Sequence, residues 1–170
     1  MELLVKKAKD GDKDALLNLI MSEKQEYYKL AYIYMKNSED ALEAMEEMIL
    51  ILYQNIYKIR DEKSFYSWSK TILVNCCKNR LKKNKKIILL EDINTEIYEE
   101  DFNSKDEKIV LEKHLNKLST KHQEIIKLRY YLDMDYKNIA ELIKVPVGTV
   151  KSRISFALKK LKESLGGENI

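Results

Sequence analysis

Between Asp135 and Ala157 the chain carries two short amphipathic helical patterns joined by a tight break, a spacing that few folds accept. Asp135 is placed to N-cap the first helix, its side-chain oxygen accepting an otherwise orphaned backbone N–H. Ile139, Leu142 and Ile143 give that helix an apolar stripe at helical spacing. Lys144-Val145 makes the turn, at a small cost in strain if Lys144 takes a positive φ. Pro146 suits the opening of the next helix, where its missing N–H is no loss. Val147, Val150, Ile154 and Ala157 then face inward, leaving Thr149, Lys151, Ser152, Arg153 and Ser155 outward. This is the build of a helix-turn-helix, and the outward side chains are of the kind that bond phosphates and base edges. The plain alternative is an amphipathic hairpin that binds nothing.

Four Gly and one Pro against 45% hydrophobic residues leave little turn chemistry and point to an all-α fold. From Glu91 to Glu107 the chain loses helical period and carries eight acids against one base, Lys105. That stretch is −7, so a chain of net charge +3 holds +10 outside it. Two basic blocks flanking an acidic middle are expected where the flanks touch phosphate. The organisation predicted is a helical domain over 1–86, a flexible acidic linker over 87–105 and a second helical domain over 106–170.

Within the first domain the pattern predicts helices from Glu2 to Lys9 and from Lys13 to Met35, the second burying Leu16, Leu17, Ile20, Tyr27, Leu30 and Ala31. A third spans Glu39 to Ile56, with Ser38 a partial cap. It buries Leu42, Met45, Ile49 and Leu52 and exposes Glu43, Glu46 and Glu47. A fourth, capped by Ser64, runs from Phe65 to Lys83 with Phe65, Trp68, Ile72 and Cys76 inward. In the second domain Ile109, Val110, Leu111, Leu115 and Leu118 belong to the first helix. Ser119 or Thr120 caps the next, which packs Ile125, Ile126 and Leu128.

Adjacent Cys76 and Cys77 imply no disulfide framework, and with His114 and His122 they lack zinc spacing. No apolar run reaches the roughly 18 residues of a membrane span, and the N-terminus lacks a signal peptide's apolar core. The compartment expected is the cytoplasm, without membrane insertion. There is no phosphate loop, metal-ligand cluster or nucleophile–base pair, so neither an enzyme nor a cofactor is expected.

The segment Val145-Pro-Val-Gly-Thr-Val-Lys-Ser-Arg-Ile154 closely resembles the recognition helix of extracytoplasmic-function (ECF, group IV) sigma factors, and the likeness extends upstream through Leu118 to Tyr130. Ser38-Glu-Asp-Ala-Leu-Glu-Ala-Met-Glu-Glu47 is similar to that family's core-binding helix. Lys63-Ser-Phe-Tyr-Ser-Trp-Ser-Lys-Thr-Ile-Leu-Val-Asn75 is similar to its promoter-melting helix. The resemblance implies a subunit that directs core RNA polymerase to promoter DNA, region 2 in the first domain and region 4 in the second, and implies an anti-sigma partner. It assigns polymerase binding to Glu43, Glu46, Glu47, Met48 and Leu50. Contacts to the melted −10 strand fall on Arg60, Lys63, Ser64, Tyr66, Lys70, Asn75, Lys78, Arg80 and Lys82, cations and stacking faces of the kind that hold single strands. Reading of the −35 element falls on Thr149, Lys151, Ser152, Arg153, Ser155, Phe156 and Lys159. Phe156 stands where many relatives carry Arg, and Glu46 where Gln is usual. A helix-turn-helix regulator acting without polymerase is the competing expectation, and the first domain, which a simple regulator does not need, discriminates between them.

Overall fold

Side-chain caps fix where several of the helices begin. The computed structural model describes residues 1–90 and 113–166, with side chains over 1–84 and 113–165. Helix α1 (Glu2–Lys9) ends in a turn at Gly11, whose φ of 99° favours glycine. Asp12 caps α2 (Lys13–Ser22), accepting from the Ala15 N–H at 3.0 Å.

The single helix expected from Lys13 to Met35 is two. Glu23, at φ −116° and ψ 15°, leaves the helical region, and α3 (Lys24–Met35) starts afresh. Left-handed Lys36 (φ 63°) ends α3. Asn37, not Ser38, then caps α4 (Ser38–Asn55), its oxygen accepting from the Asp40 N–H at 2.8 Å. Its amide also donates to the Asp40 carboxylate at 2.7 Å. Two 3₁₀ turns, Ile56–Lys58 and Glu62–Ser64, lead into α5 (Phe65–Leu90). This helix runs past its expected end at Lys83 and includes residues 87–90, expected as linker. Residues 91–105 of that linker, together with Ile109, Val110 and Leu111, lie outside the described residues.

Two compact units emerge, one built on Met1–Lys86 and one holding the last helices. In the first, Ala41, Ala44, Met45, Met48 and Leu52 form the inner stripe of α4, so Leu42 is 47% exposed, against expectation. Leu17, also expected inside, is 54% exposed. On α5 the inner stripe is Phe65, Ser69, Leu73, Cys76 and Cys77, while Trp68 and Ile72 are half-buried. Ser69 is tolerated inside because its hydroxyl meets that of buried Tyr27 at 2.7 Å.

The second unit has a helical segment over 113–116, then α6 (Thr120–Tyr130), α7 (Tyr136–Ile143) and α8 (Val147–Gly166). Ser119 occupies the N-cap of α6, where its carbonyl accepts from the His122 and Gln123 N–H groups. Leu115, Ile125, Leu128, Ile139, Val150 and Ile154 are all buried. His114 Nδ1 lies 2.6 Å from Ser164 Oγ, joining the start of this unit to the end of α8. Among the described residues there is no strand, and no helix is long and apolar enough to cross a membrane.

Candidate nucleic-acid and protein interfaces

The turn between α7 and α8 is built from three local devices. Asp135 caps α7 as expected, accepting from the Asn138 N–H at 2.7 Å. Lys144 takes φ 55°, the positive value that its place in the turn suggested. With Lys144 left-handed, the Val145 N–H reaches back to the Ala140 carbonyl at 3.0 Å, a Schellman closure. The Pro146 carbonyl then accepts from the Val150 N–H at 3.2 Å, opening α8.

Val150, Ile154 and Ala157 face inward on α8, continued by Leu161, whereas Val147 is 39% exposed and does not join them. Lys151, Ser152, Ser155, Phe156 and Lys159 are exposed; Thr149 and Arg153 are half-buried. The seven expected −35 residues therefore share one solvent-facing arc. Ser152 Oγ donates to the Thr149 carbonyl at 3.0 Å, and the helix N-terminus adds a positive dipole end. Sequence reasoning missed Arg129, which donates to the Met134 carbonyl at 3.0 Å and closes the turn around positive-φ Asp133. It also missed His122, whose ring lies 4.9 Å from that of Phe156.

The expected −10 residues divide into two sets. Arg60, Lys63, Asn75 and Lys82 are exposed. The others are engaged within the fold. Tyr66 Oη meets Ser22 Oγ at 2.8 Å, and Lys70 pairs with Glu23 at 3.4 Å. Both thus grip the α2–α3 break. Ser64 Oγ donates to the Asp61 carbonyl at 2.7 Å, and Lys78 Nζ lies 5.6 Å from the Tyr34 ring centroid. Lys9 of α1 pairs with Glu62 at 3.1 Å, bracing the connection that precedes α5. Its own backbone hydrogen bond and the one from Lys9 hold the Glu62 carboxyl below its ordinary pKa.

Arg80 is the residue placed most differently. Its guanidinium pairs with Glu43 and reaches Asp40 at 3.7 Å and Glu47 at 3.9 Å. Two residues expected to meet polymerase are thus tied to one expected to meet DNA. Asp40, Glu43 and Glu47 recur at three and four residues on one face of α4, the spacing that could have revealed a shared cation. Glu46 is exposed and Leu50 is 62% exposed. Met48 corrects the expectation: it is wholly buried on the inner stripe and supports the helix instead of facing a partner. Burial pushes the Cys76 thiol up to about 11, helped by the Glu47 charge, and that of Cys77 up to about 12. Among the described residues no group of His, Cys, Asp or Glu could hold a metal ion.

With this geometry in view, residues 19–87 match the family model for Sigma-70 region 2, and residues 109–161 that for Sigma-70, region 4. The chain is 31% identical to the RNA polymerase sigma factor SigV of Bacillus subtilis, covering 96% of this chain and 99% of that one. It is 27% identical to the ECF RNA polymerase sigma factor SigW of the same organism, covering 97% and 98%. Among solved structures, CnrH in complex with the cytosolic domain of CnrY gives a TM-score of 0.71 at 18% identity, over 99% of this chain and 98% of that one. The sigma factor RpoE in complex with the anti-sigma factor NepR from Bartonella quintana gives 0.68 at 21%, over 89% and 97%. These two likenesses speak to the fold.

Proposed function

As the chain belongs to the ECF sigma factors of the sigma-70 family, we propose that it works as a group IV promoter-specificity subunit, in the cytoplasm and without catalysis of its own. It directs core RNA polymerase to particular promoters and starts transcription there. The observation that carries this reading is the pairing, in one chain, of an exposed cationic recognition helix with a unit that exposes Glu46 and Leu50 on α4 and Arg60, Lys63, Asn75 and Lys82 just before and along α5.

In this account the unit over 106–170 lays α8 in the major groove of the −35 element. Lys151 and Arg153 are the long cationic readers, and Thr149, Ser152, Ser155 and Lys159 bond base edges and phosphates. The unit over 1–86 captures the melted −10 strand through exposed Arg60, Lys63, Asn75 and Lys82. Tyr66, Lys70 and Lys78 contribute once they exchange their partners for DNA. An unpaired base is held only if it gains a stacking or hydrogen-bonding site worth its unstacking. Glu46 and Leu50, beside Glu43 and Glu47, offer α4 to a basic helical partner on the polymerase. The acidic stretch beyond the end of α5, over 91–105, is the linker between the two. Since RpoE of known structure is bound by an anti-sigma factor, we extend to this chain a protein inhibitor that covers the same faces.

Run-off transcription with purified chain, core polymerase and fragmented genomic DNA tests the role. The outcome expected is a small set of transcripts that start at shared promoter sequences and vanish without the chain. Tight duplex binding by the chain alone, with no core-dependent transcript, would overturn the reading.

A further inference from the structure

Phe156 is 49% exposed on the outward face of a cationic helix, a place where a large apolar ring forfeits much of the benefit of burial. It is nevertheless held. The His122 ring, supplied by α6, lies 4.9 Å away at an interplanar angle of 31°. Lys160 Nζ stands 5.9 Å from the centroid of the Phe156 ring. His122 is itself fixed, because its Nδ1 lies 2.9 Å from Ser119 Oγ at the cap of α6. The aromatic side chain is therefore seated in advance, and its ordering cost is met before any ligand arrives.

The stripe that holds Phe156 also holds Ser152 one turn before it and Lys159 just beyond, so the ring sits among groups that face nucleic acid in the reading above. On the floor of a major groove the apolar group available to it is the thymine 5-methyl. We infer that Phe156 is a thymine-methyl reader and that His122, outside the recognition helix, is the positioning residue that aims it. This inference rests on the promoter-binding reading and adds to it a specificity element supplied by α6.

The test uses the full chain bound to core polymerase and a −35 site selected by that complex from a random DNA pool. Each thymine in the site is replaced in turn by deoxyuridine, which removes that methyl alone. At one position the replacement should weaken binding about fourfold, the effect of one methylene-sized apolar contact. Phe156→Ala should erase the difference between thymine and uracil. His122→Phe, which keeps a ring against Phe156, should retain it. His122→Ala should reduce it below about twofold. A selected site with no methyl-sensitive thymine, or a Phe156→Ala protein that still discriminates, overturns the inference. Undiminished discrimination by a folded His122→Ala protein overturns the positioning role. The uracil scan with the unaltered chain and with Phe156→Ala decides the matter even if His122→Ala does not fold. A chain that selects no −35 sequence with core sinks the initiation reading, and this inference with it.

Discussion

Arg80 and Glu46 show how two charged residues expected to serve partners do different work. The Arg80 side chain is 25% exposed and faces three carboxylates, so its removal leaves like charges stacked along α4. Partly exposed ion pairs are individually weak, and the network contributes about 1 kcal/mol. Arg80→Gln should therefore lower the melting temperature and loosen polymerase binding, because Glu43 and Glu47 lose the cation that orders them. Glu46→Lys, at an exposed position, should weaken polymerase binding and leave thermal stability within about 0.5 kcal/mol of the original. Calorimetry and core-binding titration of the two variants check this. Equal effects on stability would mean that the network orders nothing. The sequence showed the charges on α4 but not their sharing, since Arg80 lies on another helix and only the fold brings it there. Asp135 was readable because its hydrogen bond closes within three residues. Ser69 was not, because a polar residue on an inner stripe looks like a break in the pattern until Tyr27 arrives from α3.

At the scale of elements, apolar period identified the helices and local capping chemistry set their limits. The break at Glu23 escaped notice because no glycine or proline marks it. The phase of α5 was misassigned because Trp68 and Ile72 are more apolar than Ser69. Helix α8 was the most legible, since its turn, opening and inner stripe all lie within one short segment. It also contains Gly148, exposed and in the first turn, where an added Cβ would meet nothing within 4 Å. Gly148→Ala should stabilise α8 by about 0.5–1 kcal/mol by reducing the freedom lost on folding. Nothing among the described residues requires glycine there, and in the promoter-binding reading the missing Cβ suits close approach by the DNA backbone. The same variant should bind −35 duplex more weakly even as its melting temperature rises. Tighter binding with higher stability would remove that reason for the glycine.

For the molecule as a whole, buried ionisable groups in the N-terminal unit set an alkaline limit. Burial raises Tyr27, Cys76 and Cys77 above their ordinary values, so the folded state favours their protonated forms. Their contribution is complete below the ordinary thiol value of 9.0 and is lost as pH rises toward about 12. Trp68, the sole tryptophan, reports this unit. Its emission, followed with far-UV circular dichroism, should show melting temperature falling above pH 9, less steeply in Cys76→Ala/Cys77→Ala. A flat profile to pH 11 would contradict the burial of both thiols. Three carboxylates answering to one guanidinium also leave the rim of α4 two negative charges in surplus, while the outer arc of α8 displays the cations Lys151, Arg153 and Lys159. One polypeptide thus shows opposite polarities to the two macromolecules it must hold, and mobile ions dull both attractions together. No choice of buffer strength will dissect one grip from the other; only substitutions can.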